Sequence, residues 1–416
     1  MAVRTKAAGV VARLSNEDIV NIARSKSPTF ASHTAKVTSD FFTERGWGTI
    51  KSKNWQQWTN ELLGGIMPFV FERMDRTQFV DTIAEQGFGE TVYEPMGEFI
   101  ERITLAQHTP ISPQYRNLKD GDNPDQFAYR GVTINQRFFD SNFDYQDLLS
   151  LVDEWDMKRL FLATYGLSEL VSAIYEAVYN TYTAQTYLNK IEAINHGLND
   201  TEVPLQATQT YHVDMPTDYF TATEEQIVST LKTIRTVVSN MTKVMATGAF
   251  NSYNYPVKQN ISDLCLVTRF DLTGAIGLIA ARNTFNKEYL AIPEGIKIIE
   301  IPYFGYIATS DGTTPVYPVY GSKFGDVKGF STEEGAAEPT IKPEDVVYVD
   351  KNPNVPFFLA DRRWLLHIIR NPFTIEVARN KLGKYNNLIA SAPNNSLKYD
   401  RLYNFVKFDN TPTTGG

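Results

Sequence analysis

The sequence is poor in cysteine, has no long apolar run and shows no recognisable catalytic spacing. Cys265 is the only cysteine among 416 residues. No disulfide can form within the chain, and a multi-cysteine zinc site is excluded. Such a chain is at ease in a reducing compartment. No stretch approaches the ~18 consecutive apolar residues of a membrane-spanning helix. The start, MAVRTKAAGVVARLSNED, lacks the apolar core of a secretion signal. The sequons beginning at Asn199, Asn240, Asn260 and Asn394 are therefore read as chance.

Groups for chemistry are equally scarce. The histidines His33, His108, His196, His212 and His367 do not pair at metal-ligand spacing. Each reads as a surface or satisfied core histidine. There is no Gly-x-Ser-x-Gly elbow. Cys265 lies between Leu264 and Leu266 in an apparent strand and reads as a small buried hydrophobe. The segment Asp120 to Asp125 fails as a calcium loop, because Pro124, Asp125 and Gly131 occupy positions five, six and twelve. It reads as a turn at a hairpin tip. Gly321 to Gly329 is glycine-rich but lacks the phosphate-loop order. Glu333 and Glu334 sit in polar loop sequence and read as a solvated face. No catalytic residue, cofactor or metal is expected, and the chain is read as a non-enzyme.

What is present is an ordinary globular composition. Hydrophobic residues at 42% and charged residues at 21% exclude a disordered or fibrous class. The length suggests roughly two to three domains. A net charge of −8 argues against broad nucleic-acid binding. That charge is uneven. Residues 1–53 hold nine basic residues, Arg4, Lys6 and Arg13 among them, against Glu17, Asp18, Asp40 and Glu44, for +5. The remainder carries −13. The pattern is an acidic body with a basic arm. Aromatic residues reach 12%, a content that serves cores and interfaces alike.

Ser15 and Asp18 form a plausible capping pair for a short helix through about Arg24. A polar stretch follows from Ser25 to Ser39, with Pro28 as a breaker. Trp55 to Glu85 reads as helical, interrupted at Gly64-Gly65 and Pro68. Residues 89–106 and 127–139 read as extended, joined by a long polar tip, which predicts a projecting hairpin. Such a hairpin cannot bury both its faces alone. Residues 145–152 are expected to form a short helix. A longer helical run is expected from an Asp153 cap to about Ala193, with Gly166 as a possible interruption into two.

Residues 195–223 read as loop. Glu224 to Ala246 reads as a helix capped by Thr223, with Gly248 past its end. A strand at Leu264–Thr268, a helix near Leu272–Ala281 and a strand at Ile296–Ile301 follow, suggesting a sheet covered by helices. Residues 309–345 read as an irregular insertion. Residues 355–370, Ile375–Ala378 and Tyr403–Phe408 read as strands, and NTPTTGG as a disordered tail.

The order of arm, hairpin, long helix, αβ domain and closing strands resembles the α+β Hong Kong 97-type capsid fold of tailed phages. Several segments look like the major capsid proteins of small short-tailed phages of Gram-positive bacteria. They are Asp18 to Phe30, Arg76 to Phe88, Glu98 to Leu105, Phe143 to Leu188 with SAIYEAVYN, and FLADRRWLLH followed by LYNFVKF.

The resemblance implies a subunit that self-assembles into the icosahedral head enclosing double-stranded DNA. It implies an arm with short helices over 1–85, an extended hairpin over 86–140 and a peripheral domain with a spine helix over 141–220. An axial domain over 221–350 and return strands with a tail over 351–416 would follow. The implied partners are further copies in hexamers and pentamers, a scaffolding protein, a portal, head-fibre or inner core proteins, and non-specifically the packaged DNA. No membrane partner is implied. Assembly would occur in the host cytoplasm, and the product would be the virion capsid.

Arg116, Lys119, Asp120 and Asp122 at the hairpin tip, with Arg4, Lys6 and Arg13 of the arm, are candidates for contacts between subunits. The covalent cross-link that one such phage makes through a hairpin lysine is not carried to Lys119. Some family members append an immunoglobulin-like domain, and none is expected here after Phe408. A cellular nanocompartment shell of the same fold is the alternative. A soluble enzyme with an unrecognised site is a third reading.

Overall fold

A computed structural model describes residues 14–73, 81–93, 100–105, 133–138, 143–150, 154–200, 202–216, 218–243, 249–252, 259–269, 272, 274–276, 292–301, 303–309, 316–318, 327–329, 340–341, 346–371, 374–380 and 385–410. The chain opens with helices α1 (Asn16–Lys26), α2 (Pro28–His33), α3 (Glu44–Lys53), α4 (Trp55–Arg73) and α5 (Thr82–Glu85). Ser15 and Asp18 make the expected capping box. Pro28 does not break the chain; it occupies the first turn of α2, where its missing N–H costs nothing, and Ser27 caps that turn. Nor do Gly64, Gly65 and Pro68 interrupt α4. Leu62, Leu63 and Ile66 are fully buried there. A Cβ at Gly65 would meet the Ala23 carbonyl oxygen at 2.9 Å, so glycine allows α1 to cross closely. Packing outweighs local propensity.

Strands β1 (Glu90–Tyr93), β2 (Ile100–Leu105), β3 (Thr133–Phe138) and β4 (Phe143–Ser150) follow, then helices α6 (Glu154–Leu162) and α7 (Gly166–Leu198). The helix expected over 145–152 is therefore the strand β4. An isolated helix of that length is marginal, whereas β4 gains a full antiparallel partner in the strand over Tyr385–Tyr399. The long helical run is two helices. Gly166 starts α7, and a Cβ there would collide with the Leu160 backbone.

Asn16 holds this elbow. Its Oδ1 accepts from Leu167 N–H (3.0 Å), and its Nδ2 donates to the carbonyls of Phe161 (3.0 Å) and Ala163 (2.7 Å).

Beyond β5 (Thr210–His212) and α8 (Glu224–Thr242) come β6 (Leu264–Arg269), β7 (Lys297–Ile301), β8 (Gly305–Thr309), β9 (Val316–Pro318), β10 (Val327–Gly329), β11 (Thr340–Ile341) and β12 (Val346–Asp350). The chain ends through β13 (Phe357–Asp361), β14 (Leu365–Ile369), β15 (Thr374–Asn380), β16 (Tyr385–Tyr399) and β17 (Phe405–Asp409). Of the 309–345 segment, read as an irregular insertion, the described residues are strand. It contains the small antiparallel sheet β11-β10-β9, beside the β12-β8 pair. The loop expected over 195–223 likewise contains the end of α7, β5 and two short 3-10 turns. Asp153, Gly248 and residues 411–416 lie outside the described residues, as does much of the expected 272–281 helix.

Two sheets organise the body. The central one runs β5-β17-β13-β6-β7, with β6 and β7 parallel. Its middle strands are apolar on both faces because both are covered. Cys265, Val267, Phe358 and Ala360 face the C-terminal half of α7, among Leu188, Ile191 and Ile194. Leu264, Leu266, Phe357 and Leu359 face α8, among Ile227, Leu231 and Ile234. The outer sheet runs β1-β14-β16-β15, with β4 also on β16. The first half of α7 packs on α1–α4 in a separate core that includes Trp47, Phe161 and Leu167. At ~1.5 Å per residue α7 spans roughly 50 Å, and it ties the two cores together.

Candidate functional site

The described residues include an antiparallel ribbon, β2–β3. Its strands pair antiparallel from Ile100↔Phe138 to Leu105↔Thr133 and form a two-stranded sheet of their own.

The segment leading into the ribbon is held at several points. Asp81 caps α5 and pairs with Lys190 of α7 at 2.5 Å, with both side chains largely buried. The Gln86 side-chain oxygen accepts from Glu300 N–H at 2.9 Å, and Gly89 N–H donates to the Arg362 carbonyl at 2.8 Å. Phe88 is buried against Phe358 and Trp364. β1 then lies parallel on β14, with Thr91 opposite His367. His367 is buried. Burial first, then the Lys190 charge, push its pKa down to about 4, against the opposing pull of Asp81.

At the far end of α7, Arg401 grips Asp200 with two hydrogen bonds of 2.7 and 2.8 Å and reaches Glu202 at 2.9 Å. Burial raises the Asp200 pKa, but hydrogen bonds from Arg401 and from Val203 N–H prevail and hold the carboxyl below its usual range. Asp361, fully buried, accepts from Arg363 twice and from Gln259, which in turn accepts from Asn404. In both networks the buried carboxylates are paired within the fold, as in structural ion pairs. Burial pushes the Cys265 thiol up to about 12, which makes it inert. Among the described residues no group of His, Cys, Asp and Glu is placed to hold a metal ion. No described helix is long and apolar enough to cross a membrane.

The family model of the Phi29-like phage major capsid protein matches residues 68–408. The chain belongs to that family. No curated protein sequence matches it. Among solved structures, the chain is similar to one in the structure of the head fiber and inner core protein gp22 of native bacteriophage P68. That likeness has 11% identity, a TM-score of 0.49 and coverage of 81% of this chain and 88% of the other. A chain of the Staphylococcus phage Andhra capsid gives 12%, 0.44, 77% and 83%. One from the bacteriophage PhiM1 mature capsid gives 12%, 0.43, 78% and 86%. The family match carries the assignment: this major capsid protein is a component of a phage head shell, with the expected mixed α+β fold.

For the capsid protein, the candidate contacts Arg116, Lys119, Asp120 and Asp122 lie outside the described residues, as do Arg4, Lys6 and Arg13. The described strands place the first four between the ends of β2 and β3 in sequence. What sequence reading missed is the anchoring. Asn16, Asp81, Lys190 and His367 lie far apart in the chain and carry no shared motif. Only Asp81, as a potential cap ahead of Thr82–Glu85, left a local signal.

Proposed function

We propose that this major capsid protein self-assembles into a closed icosahedral head of Hong Kong 97 type that encloses double-stranded DNA. The observation that carries this reading is the family match over residues 68–408, beside a β2–β3 ribbon whose described strands pair with each other and whose entry is tied to the body through Asp81 and Lys190. Within the head, the 86–140 hairpin lies over a neighbouring subunit and is buried there. Residues 221–350 cluster around the five- and six-fold axes of pentamers and hexamers. Segment 141–220 supplies α7 as the brace, segment 1–85 the arm, and segment 351–416 the strands that return to both sheets.

Arg116, Lys119, Asp120 and Asp122 form ion pairs between subunits, each contributing ~0–1 kcal/mol but repeated around the shell. A scaffolding protein, a portal and head-fibre or inner core proteins complete the set of partners, and assembly takes place in the host cytoplasm. The role is structural rather than enzymatic. The full chain, expressed with and without its scaffolding partner, is expected to sediment as shells or tubes visible by electron microscopy. A strictly monomeric species under all these conditions would overturn the reading.

A further inference from the structure

The outward face of α8 differs in chemistry from the rest of this acidic protein. From Gln226 to Ser262 there is no Asp or Glu, while Lys232, Arg235, Lys243 and Lys258 are present. The apolar side of α8, with Ile227, Leu231, Ile234 and Val238, is spent on the central sheet. Its other side borders a cavity of about 430 Å³ lined by Val228, Lys232, Arg235, Thr236, Ser239, Asn240 and Lys243. Lys232, Thr236, Ser239 and Lys243 are exposed. The Lys243 ammonium donates to Asn240 Oδ1 at 3.0 Å, which places it on this face. From Lys232 to Lys243 the row runs roughly 16 Å along the helix. The nearest acids in sequence, Asp218, Glu224 and Glu225, sit at or before the N-terminal turn.

We propose that this face of α8 is a non-specific contact for the phosphate backbone of the packaged duplex. The inference rests on the head-shell reading and deepens it by naming the surface that meets the genome. The chemistry selects the partner. Lys, Arg, Ser, Thr and Asn are the side chains that bind phosphates without reading sequence. Lys and Ser are depleted at protein–protein contacts, where aromatic residues are enriched, and none of the described residues that border the cavity is aromatic. The surrounding negative charge keeps such a contact weak and salt-sensitive, as a genome that must leave the head requires.

The test uses the full-length chain, held unassembled at low concentration, with a short mixed-sequence DNA duplex followed by fluorescence anisotropy. Each phosphate-bound cation contributes a slope of ~0.9 in the logarithm of affinity against the logarithm of salt. Between about 50 and 200 mM salt, the double variant Lys232→Gln/Lys243→Gln should therefore lose roughly tenfold less affinity than the parent. The charge-preserving Lys232→Arg/Lys243→Arg should keep the parental slope, and a thermal melt of the Gln variant that matches the parent's excludes loss of folding as the cause. An unchanged salt dependence in the Gln variant overturns the proposal. So does a Gln variant that binds DNA as the parent does but no longer assembles, which would assign the face to a neighbouring copy. Assembly of the parent is scored separately, so failure of the shell reading is distinguishable from failure of this one.

Discussion

Replacing Gly197 with alanine tests how tightly the end of α7 is built into the central core. In an open helix this change stabilises by about 1 kcal/mol. Here the new methyl would sit 2.5 Å from Trp364 Cη2, closer still to Cζ2, and 3.1 Å from Tyr399 Cγ. Ordinary carbon contacts are ~3.5–4.0 Å. Trp364 has no room to retreat. It is buried, stacks on Phe405 at 4.7 Å between ring centroids and 13° between planes, and touches Phe358 and Tyr399 at 5.7 and 5.5 Å. Forcing an extra methyl into such a site costs ~1–3 kcal/mol. Gly197→Ala is therefore expected to destabilise the unassembled subunit by about 1–2 kcal/mol in urea denaturation, with the propensity gain partly offsetting the clash. In a Trp364→Leu background the same change should turn neutral or stabilising, a coupling of about 1–3 kcal/mol. If Gly197→Ala stabilises the parent by about 1 kcal/mol, as in a free helix, the close approach of α7 to Trp364 is wrong.

Asn16→Ala removes the side chain that bonds the backbone groups of Phe161, Ala163 and Leu167 at the α6–α7 elbow. It should cost about 1–3 kcal/mol in the same denaturation assay. Arg401→Met leaves the Asp200 carboxylate, 2% exposed, without its bidentate partner. A loss of about 3–5 kcal/mol is expected, and Asp200→Asn in addition should recover part of it. His367 titrates at about 4 in the folded chain against 6.5 in the unfolded one, so the unfolded chain takes up the proton first. Stability should fall as pH drops from about 6.5 to about 4, by about 3 kcal/mol from this group. Melts of His367→Asn across that window should show a shallower decline, and a slope equal to the parent's would remove His367 as the cause.

Local signals in the sequence read well where chain neighbours decide the structure. Ser15 with Asp18 and Thr223 with Gln226 form capping boxes. The alternation read over 127–139 is a ribbon strand where it is described, at Thr133–Phe138, and the apolar run at Leu264 marks a strand covered on both faces. Where a distant partner decides, the signals misled. Tyr145 to Leu149 has the look of a short helix but is claimed by β16. That partner was itself illegible, since Asn386, Asn387, Pro393 and Asn395 break its pattern and a register shift lies between Ala392 and Asn395. Gly65 and Pro68 read as breakers because the close crossing of α1 over α4 has no trace in local sequence. The run from Val355 to Arg370 reads as one strand-like stretch. In the fold it divides at Arg362–Trp364, sending β13 to the central sheet and β14 to the outer one. The contacts between subunits depend on a second copy, so one chain's sequence carries no local signal that fixes them.

The most direct test of the central claim is a density map of particles assembled from the full chain. The account predicts a closed shell in which the β2–β3 ribbon of each subunit lies against the body of its neighbour, with α7 running unbroken between the two cores of its own subunit. A shell whose ribbons fold back onto their own subunits, or particles with no repeated contact through the ribbon, would contradict it.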